Sequence, residues 1–346
     1  ETMGQLGESN GCGRAMWEHE EQHDRYGTPM ALMLLPFWTD GCIGSMEGLY
    51  FEASATTPFH FLNQDELSTA PSNAQRDLSY EPGAPTAEQF DLGVEHLRRF
   101  GVRYYMAISD AMTAQARANP DLTEVATSGP WVVFEVVDAA LVEPLDNQPA
   151  VLTGVSPHDW LAAVQEWYLD PAQWGVYRAA GGPEGWERIP VDAMPAEVPT
   201  TPVAVTDILT GTDTMEFDVT DVGQPVLVKA SYFPNWKAEG AEGPWRVGPN
   251  LMVVVPTSTP VELHYGMTVV DWAGWGITLL GLVGLVLLMR AGSLTLPEPR
   301  PWARRSTHPS TPTPLTDPEL PRLRDWSSDP PPRPVPGPLA AASSVA

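Results

Sequence analysis

Two histidines four residues apart enclose a glutamate pair in the segment HEEQH, which runs from His19 to His23. On a helix, this spacing turns both imidazoles to one side, where they can share a Zn²⁺ ion while Glu20 acts as general base. The surrounding sequence favours another interpretation, because Gly27 and Pro29 stop any helix about one turn beyond His23 and no third-ligand motif follows. We expect a solvated, charge-rich helix end. A zinc hydrolase and an incidental or structural metal are the alternatives.

Acidic and aromatic side chains surround a glycine-rich turn further along the chain. The candidates for chemistry there are Asp40, Glu47, Glu52 and His60. Carboxylates next to aromatic residues can bind sugar hydroxyl groups or act as acid and base. The same residues also suit an ordinary turn with solvated acids. Ligand binding and a plain turn therefore both stay open.

Three arginines stand out in a chain with few basic residues: Arg14, Arg76 and Arg103. A guanidinium group can hold a phosphate through paired hydrogen bonds, or it can form a structural salt bridge. Trp236, in the segment YFPNWKAEG, can form a platform for a sugar ring or part of a hydrophobic core. We expect the structural role for these residues and keep ligand binding as the alternative.

The chain contains two cysteines, Cys12 and Cys42. Two cysteines cannot build a cysteine-rich metal site, but they can form one disulfide in an oxidising compartment. The membrane topology predicted below places them in such a compartment. Two unpaired thiols are the alternative.

The formal net charge of −25 is concentrated before the last part of the chain. Of the 19 basic groups, six lie after residue 290 and Arg290 is another, which leaves 12 in residues 1–289. Of the 44 acidic groups, five lie after residue 290, so 39 remain and this portion carries a charge of −27. Such a surface repels nucleic acid, and we do not expect DNA or RNA as partners.

An uncharged run, WAGWGITLLGLVGLVLLM, extends from Trp272 to Met289. About 18 residues at 1.5 Å each nearly cross a hydrocarbon core of about 30 Å, which predicts one transmembrane helix and leaves a buried soluble helix as the alternative. Trp272 and Trp275 suit the aromatic belt at one interface, and a group of arginines beyond the other end predicts a cytoplasmic C-terminus. These arginines are Arg290, Arg300, Arg304 and Arg305.

The pattern therefore predicts a protein of the cell membrane, with membrane lipid as a partner. Residues 1–270 are expected to be extracytoplasmic and 291–346 cytoplasmic. The cytoplasmic tail is dense in Pro, Ser and Thr, and such a composition predicts disorder. Its segment PPPRPVP could bind a cytosolic SH3-like partner, with a solvated tail as the alternative.

The sequence predicts an α+β extracytoplasmic region that combines an α/β segment with a small antiparallel β-sandwich. Phe90, Val94 and Leu97 share one helical face ahead of the strand VRYYMAI, and residues 121–126 suit a short helical turn. From Pro202 onward, short alternating strands are separated by Asp, Gly, Pro and Thr. The predicted divisions are 1–86 (loop-rich), 87–180 (α/β), 181–201 (linker), 202–267 (β-sandwich), 268–290 (transmembrane helix) and 291–346 (disordered tail).

The segment VLVKASYFPNWKAEGAEGPWRVGPNLMVVVPTSTPVELHYG, residues 226–266, stands directly before the apolar run. Together they resemble the end of large bacterial polytopic membrane proteins of the glycosyltransferase-C type, including lipoteichoic-acid glycosylation proteins. Those proteins carry a Y-x-P-x-W strand and then a strand ending in L-x-Y before the last helix. The matching residues in this chain are Tyr232, Pro234, Trp236, Leu263 and Tyr265.

Two further segments carry the resemblance. HLRRFGVRYYMAIS, at 96–109, resembles the recurring helix-then-strand pattern L-x-x-x-G-V-x-Y of these proteins. LPFWTDGCIGSMEGLYFEAS, at 35–54, is similar to actinobacterial membrane proteins, some of which are named 6-pyruvoyl-tetrahydropterin-synthase-related. No pterin-synthase histidine pattern stands out, so that name implies no activity. The resemblance covers most of residues 12–290, and its motifs concern packing and turns.

The resemblance implies an integral membrane protein that transfers a sugar from a polyprenyl-phosphate donor to a cell-envelope glycan. The catalytic acid of such proteins usually lies in an early external loop that has no counterpart here. We therefore expect no catalytic residue and no cofactor in this chain, and a divalent cation only in a longer enzyme. The chain does not begin with Met, which suggests a piece of a longer protein. A non-enzymatic, membrane-anchored surface or scaffold protein is the main alternative.

Overall fold

The structure is a computed structural model that describes residues 1–20, 28, 31–47, 54–70 and 85–291. The chain divides into two units, Glu1–Leu282 and Val283–Ala346. The first unit holds three β-sheets with their helices and the first part of an apolar helix. The described part of the second unit is the end of that helix and Ala291.

The first sheet is parallel on one side and antiparallel on the other. Its strands are β1 (Gly13–Trp17), β2 (Ile43–Ser45), β3 (Val102–Ala107), β4 (Leu122–Ser128) and β5 (Trp131–Val136). They lie in the order β2-β1-β3-β5-β4, and β1 runs parallel to both of its neighbours. Parallel neighbours need a crossover connection, and helices form part of the chain between β2 and β3.

The helices of this part of the chain pack beside the sheet. They are α1 (Thr2–Asn10), α2 (Leu35–Trp38, preceded by a 3₁₀ turn at Ala31–Leu34), α3 (Thr57–Glu66), α4 (Ala87–Arg99) and α5 (Asp110–Ala118). Helix α4 begins at a capping box in which Thr86 and Gln89 exchange side-chain hydrogen bonds to each other's backbone N–H. Its apolar face buries Phe90, Val94 and Leu97, each of which contributes about 2 kcal/mol of burial.

The other two sheets form a β-sandwich. The seven-stranded sheet, ordered β6-β12-β15-β14-β8-β7-β9, contains β6 (Val142–Pro144), β7 (Ala150–Leu152), β8 (Arg178–Ala179), β9 (Arg188–Ile189), β12 (Val226–Val228), β14 (Ala241–Val247) and β15 (Leu251–Pro256). The four-stranded sheet, ordered β10-β11-β16-β13, contains β10 (Val205–Thr210), β11 (Thr214–Val219), β13 (Trp236–Glu239) and β16 (Val261–Tyr265). Helix α6 (Trp160–Leu169) lies between β7 and β8 in the chain.

The sandwich core consists of inward-facing side chains from both sheets. Phe217 and Leu263 on the four-stranded sheet pack with Val228 and Met252 on the seven-stranded sheet, and all four are buried. Alternation in β11 buries Met215, Phe217 and Val219 while the residues between them are less buried, because successive strand residues face opposite sides.

Two of the observed sheets combine strands from chain segments that were predicted to be separate. Strands β1 and β2 come from the segment 1–86, which was predicted to be loop-rich, yet they share a sheet with β3. The seven-stranded sheet takes β6 to β9 from the predicted α/β segment and linker. The reason is that short apolar strands far apart in sequence share one core, where Met16 and Ile189 are buried.

One local prediction was wrong. Residues 121–126 were predicted to form a helical turn, but Leu122–Ser128 is strand β4, paired antiparallel with β5. Thr123, Val125 and Thr127 are β-branched and favour a pleated, half-buried strand when a neighbouring strand is available.

Helix α7 (Val269–Arg290) follows β16 after a three-residue connection. Its 22 residues extend about 33 Å at 1.5 Å per residue, and among the described residues it is the one helix long and apolar enough to cross a membrane. Together with the three sheets, this confirms the predicted mixed α+β fold with one apolar helix. The tail at 292–346 lies outside the described residues.

Candidate functional site

The three parallel strands of the first sheet end at a common edge. Glu18 directly follows β1, Glu47 lies two residues beyond β2, and Ile108 directly follows β3. The chain passes from β1 to β2 on one side, whereas β3 lies on the other side of β1. Open α/β sheets bind ligands outside the carboxyl ends of their strands at such a switch in direction.

Glu18 organises this edge. One carboxylate oxygen accepts hydrogen bonds from the backbone N–H groups of Ile108 and Ser109, both at 2.8 Å. The other oxygen accepts from the hydroxyl of Thr69 at 3.1 Å. Ser109 in turn caps α5 by accepting from the N–H of Met112 at 3.1 Å. Glu18 is thus buried but saturated with partners, and its role is to hold β1 against the start of α5.

Helix α3 brings two further polar side chains to Glu47. His60 and Gln64 are four residues apart, which places them on one helical face. Gln64 donates to a carboxylate oxygen of Glu47 at 2.5 Å and to the carbonyl of Trp17 at 3.2 Å. His60 Nε2 lies 3.6 Å from the same Glu47 oxygen. We call Glu18, Glu47, His60 and Gln64 the carboxyl-edge cluster.

The carboxyl-edge cluster has hydrogen-bonding capacity that the described residues do not use. His60 Nε2 and Gln64 Oε1 are buried and have no hydrogen-bond partner in the described part of the chain. Leaving a buried polar atom unsatisfied costs about 1–3 kcal/mol, so native proteins rarely keep one without a reason. A hydrogen-bond donor at Gln64 Oε1 and a partner at His60 Nε2 would remove this cost.

A second buried polar pair supports α3 from the other side. His96 on α4 meets Glu66 with Nδ1 2.7 Å from a carboxylate oxygen, and its Nε2 lies 3.0 Å from the carbonyl of Tyr168. Because a carbonyl only accepts, Nε2 carries a hydrogen there. The imidazole stacks on the Tyr168 ring at 3.9 Å between centroids. Burial, followed by the Glu66 charge, raises the pKa of Tyr168 well above its usual value.

The structure brings together two of the residues selected from the sequence, Glu47 and His60, and places Asp40 and Trp236 elsewhere. Asp40 lies in an exposed turn with φ 48° just before β2. Trp236 packs against the sandwich core, edge-to-face with Tyr265 at 5.6 Å. Glu52 lies outside the described residues, as does Arg76.

The two described candidate arginines bind protein groups. Arg14 donates to the carbonyl of Phe100 at 2.8 Å and to the carbonyl of Lys229, which links β1 to the strand region after β12. Burial lowers its pKa to about 10, which still leaves the group charged at neutral pH. Arg103 on β3 forms an ion pair with Glu135 on β5 at 2.8 Å.

An open cleft of about 370 Å³ lies beside that ion pair. It is lined by Arg103, Glu135, Val136, Asp138, Ala139 and Ala140. The lining carries two carboxylates and one guanidinium group, and Glu135 neutralises the charge of Arg103. The cleft is therefore unfavourable for a phosphate or pyrophosphate group.

The described half of the HEEQH segment is not helical. His19 and Glu20 follow β1 in irregular structure, and the N–H of His19 donates to the Ser68 hydroxyl at 2.7 Å. The predicted helix end is therefore wrong at these two residues, because the chain leaves β1 and pairs with the end of α3. His23 lies outside the described residues. The described residues hold no group of three His, Cys, Asp or Glu side chains suited to a metal ion.

Cys12 and Cys42 are joined by a disulfide. Cys12 stands directly before β1 and Cys42 directly before β2, so the bond ties together the starts of two neighbouring parallel strands. It therefore stabilises the amino ends of the strands whose carboxyl ends carry the cluster.

Sequence reasoning missed Glu18 and Gln64. Glu18 follows an apolar strand directly, and Gln64 stands one helical turn after His60, so both signals were present in the sequence. Each residue is separated from Glu47 in the chain, and only the parallel pairing of β1 with β2 brings Glu18 and Glu47 to the same edge.

Comparisons with protein-family models, curated proteins and solved structures find no match to this chain.

Proposed function

We propose that this chain is the extracytoplasmic, membrane-anchored part of a glycosyltransferase-C-like membrane protein. In this proposal the carboxyl-edge cluster binds a sugar of the envelope glycan that accepts the transferred unit. The polyprenyl-phosphate donor, and any divalent cation, would be held by other parts of a longer protein. The chain itself contributes acceptor binding and no catalytic residue.

The observation that carries the proposal is the pair of unsatisfied buried atoms beside a carboxylate. A sugar hydroxyl group both donates and accepts, so one hydroxyl can donate to Gln64 Oε1 while another pairs with His60 Nε2. Glu47 adds an acceptor oxygen next to both. Sites that recognise hydroxyl groups combine such fixed polar atoms with a water-poor setting, as the burial of all three residues provides.

A specific observation favours a second candidate, a non-enzymatic surface-binding or scaffold protein. Phe37 and Trp38 on α2 are both 69% exposed, and their rings meet edge-to-face at 4.9 Å. Adjacent exposed aromatic residues are common anchors of protein–protein interfaces. In this second candidate a protein partner covers α2, and the carboxyl-edge cluster holds water.

Saturation-transfer NMR on the full chain in lipid nanodiscs tests the leading proposal. The probes are mannose, galactose, glucose, arabinose and N-acetylglucosamine, each as a free sugar. We expect transfer to at least one sugar, and a loss of affinity of about tenfold or more when one hydrogen-bonding group is removed. His60→Phe keeps the ring that stacks on Phe61 and removes Nε2, and Gln64→Met keeps the length of the side chain.

The matched control is His158→Phe, the same substitution at an exposed histidine. It should leave sugar binding unchanged. If none of the five sugars shows transfer with the unmodified chain, or if His60→Phe and Gln64→Met both bind as tightly as the His158→Phe control, the acceptor role is wrong. The second candidate then leads, and Trp38→Ser becomes the variant to examine.

A further inference from the structure

The junction between the sandwich and α7 is closed by hydrogen bonds. Asp271, in the first turn of α7, accepts from both the N–H and the hydroxyl of Thr268 at 2.7 Å. The Thr268 hydroxyl also lies 3.4 Å from the N–H of Asp271. This reciprocal arrangement caps the helix and fixes the direction in which it leaves β16.

The same carboxylate reaches across to the sandwich. Asn235, directly before β13, donates to Asp271 at 3.0 Å and to the carbonyl of Gly266 at 2.9 Å. The N–H of Gly266 donates back to the carbonyl of Asn235 at 2.9 Å. We call Asn235, Gly266, Thr268 and Asp271 the helix clamp. A flexible linker of this length would leave the helix direction free, whereas the clamp ties it to the sandwich at several points.

Aromatic side chains surround the helix clamp. Tyr265 is 44% exposed at the end of β16, and Trp272 is 65% exposed in the first turn of α7. Trp236 supports the Tyr265 ring from the sandwich side. Tyrosine and tryptophan concentrate at the membrane–water interface, where an apolar ring and a polar tip are both accommodated.

Lys237 follows Trp236 on strand β13, in a chain with few basic residues. The sequence contains two lysines, and Lys229 is buried against Glu143 at 2.8 Å. Lys237, on β13, is exposed and lies opposite His264 of β16. Its ammonium group donates to the carbonyl of Pro234 at 3.0 Å, and two of its three N–H donors are left for a lipid phosphate.

We propose that the edge strand β13, together with the end of its neighbour β16, lies on the surface of the bilayer. Tyr265 and Trp272 enter the headgroup layer, Lys237 contacts a lipid phosphate, and the helix clamp holds the sandwich in this orientation. This orientation on the membrane does not depend on what the carboxyl-edge cluster binds.

Photocrosslinking of the full chain in nanodiscs of phosphatidylcholine and phosphatidylglycerol tests the lipid contact. The photoreactive amino acid p-benzoylphenylalanine replaces Tyr265 in one protein and Leu209 in the control. Leu209 is 63% exposed but lies on β10, at the opposite edge of the same sheet. Mass spectrometry should find a lipid adduct at position 265 in about tenfold excess over position 209. Equal yields, or adducts to protein at position 265, would overturn the proposal.

Two sets of variants test the clamp and the lysine on the same readout. Asp271→Asn and Asn235→Ala should each lower the lipid adduct at position 265 about threefold, because the sandwich edge then moves away from the bilayer. Lys237→Gln should lower the yield in nanodiscs that contain phosphatidylglycerol, and Lys237→Arg should restore it. Circular dichroism establishes that each variant is folded. Yields that stay unchanged in both clamp variants would show that the clamp does not set the orientation, and the proposal would fail in that part.

Discussion

The sandwich core and helix α3 are both buried, but they bury different chemistry. The sandwich buries a cluster of apolar side chains between its strands, among them Phe217, Val228 and Leu263. Helix α3 is buried from Phe59 to Glu66, and most of that run is polar. An apolar core stabilises a fold at little risk, whereas buried polar groups without complete partners destabilise it unless they serve a purpose. The contrast agrees with the proposed function, in which the sandwich is the scaffold and α3 carries binding residues.

The largest loss of stability is expected from a cavity in the sandwich core. Phe217→Ala removes a fully buried ring and should lower the free energy of unfolding by about 3–5 kcal/mol. Urea denaturation followed by circular dichroism measures it. Phe37→Ala is the matched control, because that ring is mostly exposed and its loss should cost less than about 0.5 kcal/mol. Similar losses in the two variants would remove the basis for treating the sandwich as the rigid scaffold.

Reduction of the disulfide should destabilise the sheet beside α3, which contains β1 and β2, more than the sandwich. The bond between Cys12 and Cys42 closes a loop with a sequence separation of 30, for which loop-closure entropy predicts about 3–4 kcal/mol of stabilisation. Denaturation with and without a reductant measures the loss. Hydrogen exchange should show faster opening of β1 and β2 than of β11, since the bond ties only the first pair. Uniform acceleration would indicate one cooperative unit.

Alkaline pH should act on the core cluster that α3 shares with the seven-stranded sheet. Tyr177 is buried, and burial, the largest cause, raises its pKa from 10.0 to about 12. Because the pKa of Tyr177 is higher in the folded than in the unfolded state, its contribution to the free energy of unfolding is complete below pH 10. That contribution is lost as the pH rises towards 12. The loss is about 2–3 kcal/mol from this residue, and the raised pKa values of Tyr105 and Tyr168 act in the same direction.

Urea denaturation between pH 8 and about 11.5, with tyrosinate absorbance recorded in parallel, measures this dependence. Tyr177→Phe should flatten it, whereas Tyr265→Phe, at an exposed tyrosine, should not. A constant free energy of unfolding up to pH 11 would contradict the argument.

The smallest expected change is an increase in the free energy of unfolding, opposite in sign to the others. His60→Phe replaces a buried nitrogen without a hydrogen-bond partner by a ring of similar shape, and should raise the free energy of unfolding by up to about 1 kcal/mol. Removing function while gaining stability is the expected trade-off at a binding site. His158→Phe at the exposed site should leave stability unchanged. A clear destabilisation by His60→Phe would assign the histidine to structure and weaken the contrast between the two regions.

Several elements could be predicted from the sequence because their signals are local. The apolar run from Trp272 to Met289 lies within α7, and the stripe of Phe90, Val94 and Leu97 with its cap produced α4. Alternation indicated β11, and the continuous apolar run LMVVV indicated β15. Local patterns did not predict the strand at residues 122–128, which forms because it pairs with β5.

The site was only half predictable. Glu47 and His60 were selected because their residue types suit sugar binding, but nothing local distinguished them from Asp40, which lies in an exposed turn. Glu18 and Gln64 join them because two parallel strands end together and a helix packs over that end. Residue type shows what a side chain can do, and the strand order determines which side chains meet.

The sequence by itself determined the apolar helix, the acidic surface before it and the periodicity of the main strands and helices, since each depends on neighbours within a few turns of chain. Only the tertiary structure decided that strands from residues 13–45 join β3, that β6 to β9 complete the sandwich sheet, and that Asn235 reaches Asp271. These outcomes depend on contacts between residues far apart in the chain. The stabilising free energy of these contacts arises only when the folded chain buries both partners together.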